Sequence, residues 1–162
     1  MNGKELLPEF DQEMANTRKM LERVPDEHLD FQPHEKSMSL VELARHVATL
    51  PTWIGVALNR TELDMSQGWE RPNPTNRAEL LEVFDGAAKE ARPTLESATE
   101  EDLAVTWTLR SGEQVWLSMP RSGVYRSLAL NHLIHHRAQL AVYLRLLDVP
   151  VPGMYGPSAD ER

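Results

Sequence analysis

Apolar residues return at three- and four-residue intervals from about Lys4 to Val24, at Leu6, Leu7, Phe10, Met14, Leu21 and Val24, with Thr17 on the same stripe. This is the period of an amphipathic helix, and Pro25 ends it. The next stretch, PDEHLDFQPHEKSMS, is polar, carries prolines at 25 and 33, and predicts a connection. Ser39, with Glu42 three positions on, forms a capping-box signature that starts a second helix. Leu40, Leu43, Val47, Leu50, Ile54 and Leu58 continue its apolar face. Pro51 removes a backbone donor and clashes with the preceding turn, so a kink is predicted there. After TELDMSQGWERPNPT, read as a loop, Asn76 and Glu79 open a third helix carrying Leu80, Leu81, Phe84, Ala88, Ala91 and Leu95, with Pro93 bending its end.

Between Val105 and Met119 the pattern changes to alternation, with Val105, Trp107 and Leu109 before Ser111-Gly112 and Val115, Leu117 and Met119 after it. This predicts a small β-hairpin. From Ser122 to about Leu147 the helical period returns, and Asp148-Val149-Pro150 stops it ahead of a Pro/Gly-rich tail, VPVPGMYGPSADER. The expected fold is therefore all-α, with four main helices packed as an antiparallel bundle and the hairpin between helices three and four at one end. One domain over 1–162 is expected. Residues 150–162 form a tail that wraps over the bundle end, covers a site, meets a partner chain or stays disordered.

Composition narrows the chemistry. At 41% hydrophobic and 26% charged, the 162 residues are those of an ordinary globular domain able to bury a core. No run approaches the roughly 20 apolar residues of a membrane span, and MNGKELLPEF lacks the basic and apolar regions of a signal peptide, so no membrane partner and a cytoplasmic location are expected. Seventeen basic against twenty-five acidic residues give a net charge of -8, which repels phosphate backbones and excludes a nucleic-acid partner. The absence of cysteine rules out disulfides, thiolate nucleophiles and sulfur-ligated metals, leaving nitrogen and oxygen as the only donors for a metal.

Three of the six histidines fall in NHLIHHRAQL, where His132 and His136, four apart, project from one helix face on successive turns. Tyr125, Ala129, Gln139 and Tyr143 share that face and predict a polar cavity. Two imidazoles rarely suffice for a stable site, and the candidate third is His46, embedded among Leu43, Val47 and Leu50 on helix two. Three neutral imidazoles leave coordination positions open for water or substrate and suit zinc, nickel, iron and copper. By spacing alone His135 competes with His136. A lone histidine on an apolar face is also ordinarily a hydrogen-bonded core residue, and HxxxH recurs by chance. Glu42, one turn before His46, is either a further ligand or simply the capping-box acid. Arg137 either anchors an anionic substrate or pairs with a carboxylate on the bundle surface. The tryptophans are read as packing residues, with Trp53 the exception as a pocket wall. His28 and His34 lie in a polar connection and are expected to be solvated.

The run PDEHLDFQPHEKSMSLVELARHVATLPTW resembles the stretch joining helices one and two of the DinB-like (YfiT-like) superfamily, and NHLIHHRAQLAVYLRLLDVPVPGMYGPSADE resembles its last helix and tail. The most specific elements are the single histidine of LARHVA and the HxxxHRxQ pattern from His132 to Gln139. The resemblance implies an up-down-down-up-type four-helix bundle and a metal triad of His46, His132 and His136, with His136 in place of His135. It also implies thiol S-transferases that use low-molecular-weight thiols, or a thiol-dependent isomerase. Ala138 departs from the glycine that many members carry after the arginine.

The leading expectation is a transferase dependent on a divalent metal ion, whether zinc, nickel, iron or manganese, with a small-molecule substrate such as a low-molecular-weight thiol. An open site of this kind also suits a hydrolase, with His135 or Glu42 as general base. The competing reading is a non-catalytic metal- or small-molecule-binding bundle, compatible with a homodimer.

Overall fold

Side-chain caps decide where the helices begin in the computed structural model, which describes residues 1–161. Helix α1 (Gly3–Leu21) opens with a full capping box, Asn2 accepting from the Glu5 amide while Glu5 accepts from the Asn2 amide. Ser39 and Glu42 do the same for α2 (Leu40–Thr49), as their spacing predicts. At Pro51 the expected kink becomes a break, so the second helical run is two helices, α2 and α3 (Thr52–Asn59). Helix α4 (Arg77–Ser97) starts at Asn76 and carries Pro93 inside its last turns. A short α5 (Glu100–Ala104), capped by Thr99 and Asp102, is an element the periodicity did not reveal.

The last helical run has three parts: α6 (Arg121–Val124), a π-helical segment (Tyr125–Asn131) and α7 (His132–Leu146). It ends in a Schellman motif, with the Val149 amide donating to the Leu144 carbonyl at 3.0 Å and the Asp148 amide to Arg145 at 3.1 Å. Asp148 takes the left-handed conformation this requires, at φ 57°.

Helix α1 lies against α4 and α7, and α2 packs against the same two helices. The core between them is Leu6, Phe10, Met14, Leu43, Val47, Phe84, Leu133, Leu140 and their neighbours. Close approach at the end of α4 requires a glycine, since a Cβ at Gly3 would sit 1.7 Å from the Leu95 carbonyl oxygen. The chain is thus mostly helical with a small sheet.

That sheet has three strands, not the two of a hairpin. Strands β2 (Thr106–Ser111) and β3 (Gln114–Pro120) form the expected antiparallel pair, turning through Gly112 at φ 57°. The added strand is β1 (Glu62–Asp64), parallel to β2, in a segment read as loop. Three residues are too few to display a period of two, and its pairing is with a distant part of the chain. Asp64 ties the two regions together by accepting from the Gly112 amide at 3.0 Å and from Arg110 at 2.6 Å. A bulge beside Leu109 and Arg110 shifts the β3 register, leaving Trp116 without a ladder partner and 52% exposed. The expectation that Trp116 packs is therefore wrong, whereas Trp107 is fully buried beneath the sheet with Ala57, Leu63 and Val124.

The tail folds back along α1 and α7. Asn16 donates to the Met154 carbonyl at 3.0 Å, Tyr155 reaches Glu13, and Asp160 pairs with Arg145 at 2.5 Å. Arg162, the last residue of the predicted tail, lies outside the described residues.

Candidate metal centre

Packing of α2 on α7 brings His46 to the face of α7 that carries His132 and His136. One ring nitrogen from each lies within 4.8 Å of the others, and the Nε2 atoms of His46 and His132 are 3.0 Å apart. His46 meets His136 with ring centroids 4.4 Å apart. His135, the competitor by spacing, is exposed and outside this group, its ring lying 4.8 Å from that of His136. The one-residue step between them turns a side chain about 100° around the helix, which carries His135 off the shared face.

Hydrogen bonds set which nitrogens are free. The His136 Nδ1 lies 2.7 Å from the Gln139 Oε1, and the His132 Nδ1 lies 3.3 Å from the Leu128 carbonyl oxygen. Both acceptors need a proton on Nδ1, which leaves the Nε2 lone pairs for the cluster, the arrangement metal-binding imidazoles show when their other nitrogen is held. No acid supplies one of these acceptors, so the group consists of neutral donors alone.

The charge state agrees. Burial, then the nearby rings of His136 and His132, then Arg71 push His46 down to about 4. His132 is lowered chiefly by burial, against the pull of its bond to Leu128, and His136 likewise against its bond to Gln139. All three are therefore neutral near pH 7, the form in which imidazole coordinates a cation. Half-buried neutral imidazoles, free of cysteine and with lone pairs directed at one another, fit a divalent ion of the imidazole-binding kind.

The cluster opens beside His46 onto a two-lobed cleft. One lobe, of about 390 Å³, runs past Met38, Glu42, Arg45 and Asn73, and the other, of about 150 Å³, past Trp53, Trp69 and Glu70. His46, Thr49, Arg71 and Pro72 border both lobes. Trp53 thus lines the cleft, as its place after His46 suggests, and stacks on Trp69 at 5.2 Å. Trp69, read as a packing residue, does pack against the cluster around Trp107 and also lines the cleft, whereas Arg71 carries no sequence signal, since it sits in a loop without periodicity.

Other candidates are settled by their bonds. Glu42 is held as the cap, accepting from the Ser39 amide at 2.7 Å and the Ser39 hydroxyl at 2.8 Å. Arg137 pairs with a carboxylate, Glu13, at 2.6 Å, but in the interior and not on the bundle surface. The polar stripe of α7 is not one cavity: Tyr125 and Ala129 join the core, and the Tyr143 hydroxyl donates to the Met38 carbonyl at 3.0 Å. Reading them on one face assumed an unbroken 3.6-residue period, which the π-helical segment interrupts. His28 and His34 are exposed, as expected.

Comparison with known proteins agrees with this arrangement of elements. The chain is 26% identical over 160 residues to the uncharacterized protein YrdA of Bacillus subtilis, spanning 96% of this chain and 89% of YrdA. Its fold matches the crystal structure of a DinB-like protein from Bacillus cereus at a TM-score of 0.71 and 25% identity, covering 93% of this chain and 95% of that one. The DinB-like protein YjoA of Bacillus subtilis gives 0.71 at 21% identity, over 98% and 99% of the two chains. The sequence pattern of the DinB family extends over residues 1–162, and the chain belongs to that family.

Proposed function

We propose that His46, His132 and His136 hold one divalent metal ion with open coordination positions, and that the protein is a metal-dependent enzyme, a transferase of a low-molecular-weight thiol. The observation that carries the reading is the convergence of one ring nitrogen from each histidine within 4.8 Å, with the Nδ1 contacts to Leu128 and Gln139 leaving the Nε2 lone pairs of His132 and His136 free and the His132 Nε2 lying 3.0 Å from the Nε2 of His46. The proposal includes the finer architecture, a single domain over 1–162 built as an up-down-down-up-type four-helix bundle whose interior carries the site. Zinc, nickel, iron and manganese are the candidate ions.

Bound among three neutral ligands, such an ion supplies Lewis acidity that lowers the pKa of a coordinated thiol and makes it nucleophilic at neutral pH. The chain itself has no thiol, so the nucleophile must come from solution. Trp53 and Trp69 give one side of the cleft an apolar wall. Gln139 and the Leu128 carbonyl keep the two α7 imidazoles in the ligating tautomer. Glu42 is engaged by Ser39 and its pKa is lowered by those bonds, which makes it a poor general base and weighs against hydrolysis.

The test is metal content by elemental analysis of wild type, His46→Ala and His136→Ala after exposure to zinc, nickel, manganese and iron, alongside thermal melts. Near-stoichiometric metal in wild type, lost in both variants while they stay folded, is expected. Wild type that takes up none of these ions would overturn the reading.

A further inference from the structure

The cleft beside His46 is lined by two arginines, Arg45 and Arg71, that make no ion pair among the described residues. Arg18, Arg92, Arg110, Arg126, Arg137 and Arg145 each meet a carboxylate. Arg71 takes part in none of these pairs, as is also true of Arg23, Arg45, Arg60, Arg77 and Arg121 among the described residues, and what sets it apart is its position. It stands on the border between the two lobes, next to His46. The two acids on the lining do not pair with it among the described residues: the carboxylate of Glu42 is held by Ser39, and Glu70, exposed like Arg71 itself, makes no ion pair. Arg45, the other cation of the larger lobe, is fixed by donating its Nε–H to the Pro74 carbonyl at 2.6 Å, which leaves its terminal nitrogens uncommitted in the described structure.

A guanidinium with no ion pair among the described residues, bordering both lobes with His46 and sharing the smaller one with Trp53 and Trp69, has the chemistry of a receptor for a planar anion. A carboxylate matches the guanidinium fork with two parallel hydrogen bonds. Its carbon skeleton would lie on the tilted pair of Trp53 and Trp69. Together the lobes have the size of small-ligand pockets.

We propose that this cleft selects small organic carboxylates, with Arg71 as the anchor of the carboxylate and the His46, His132 and His136 centre facing the other end of the ligand. This rests on the proposed metal site for the role of the ligand's far end, but the anchor itself does not need the ion. Arg71 is a specificity residue, and it takes no part in bond making.

The experiment compares 3-mercaptopropionate with its neutral amide, on wild type and Arg71→Gln, in two forms of the full chain. In cobalt(II)-loaded protein, binding is followed by the sulfur-to-cobalt absorption. In metal-free protein it is followed by tryptophan fluorescence, with Trp53→Phe identifying the signal from the cleft. Wild type is expected to prefer the carboxylate by about tenfold, and Arg71→Gln to reduce that preference below about twofold with cobalt content and amide affinity kept. Equal affinities in wild type, or a preference that survives in Arg71→Gln, would overturn the proposal. Should the protein take up no cobalt, the metal reading fails, and the fluorescence titration still decides the carboxylate anchor by the same two criteria.

Discussion

His136 and Arg137 are neighbours on α7, yet they enter two polar inclusions of opposite character. Arg137, 2% exposed, gives its donors to the Glu13 carboxylate at 2.6 Å, the Glu13 carbonyl at 3.1 Å, the Thr17 hydroxyl at 3.0 Å and the Tyr155 hydroxyl at 2.7 Å. Tyr155 in turn donates to Glu13 at 2.9 Å. Charge is balanced and the guanidinium is well supplied with acceptors from within the chain. One residue earlier, His136 joins a group that is half-buried, uncharged and rich in unused lone pairs. A buried polar group with balanced partners stabilises a particular packing, whereas neutral imidazole nitrogens gathered within 4.8 Å of one another can hold a metal ion.

The largest test of this contrast is to unbalance the closed network. Glu13→Ala leaves Arg137 charged and buried without its counterion, and the expected loss is about 3–5 kcal/mol of stability in chemical denaturation. A loss under about 1 kcal/mol would mean that the network is wetter and looser than its geometry implies. By comparison, His46→Ala without metal should cost little, because no charge is stranded. Its effect appears on adding metal: wild type should gain about 2.7 kcal/mol at a free ion concentration one hundred times Kd, and the variant none. Equal shifts of Tm in both proteins would place the ion elsewhere.

Next comes pH. The folded-state pKa of His46 is depressed to about 4, and those of His132 and His136 are lowered, below the ordinary imidazole value near 6.5. The unfolded chain therefore binds protons first as pH falls. Stability of the metal-free protein should be undiminished by these groups above about pH 6.5 and fall progressively toward pH 4. His46→Ala should flatten that slope, and an unchanged slope would show that the imidazoles are not desolvated. The smallest change is Tyr155→Phe, which removes one hydroxyl from the closed network and should cost about 1 kcal/mol in the same denaturation measurement. If it costs nothing, the tail does not contribute to holding Arg137.

Much of the helical pattern was legible because it is local. Capping at Ser39 and Asn76, the interruption at Pro51 and the stop at Asp148-Val149-Pro150 all depend on residues within a turn of each other. The pair His132 and His136 was visible for the same reason. Glu13 and Asn16 were overlooked although α1 carried a signal: they lie within a helical turn of Phe10 and Thr17, which the apolar stripe includes, and a buried acid implies a buried base. No local signal marks β1, and neither the outward turn of Trp116 nor the breakdown of the α7 stripe follows from periodicity, because a parallel strand pair, a bulge and a π-helical segment each break the regular period.

What the sequence determined by itself was the four main helical runs, the caps that start most of them, and a chemistry without thiolates, since propensity, capping and composition act over a few residues. Only the tertiary structure decided which polar groups are satisfied. The meeting of His46 with α7, the capture of Arg137 by Glu13 and Tyr155, and the placing of Arg71 without a counterion beside the histidines all depend on which distant surfaces pack together, and the free energy of a buried polar group is set by the partners that packing supplies.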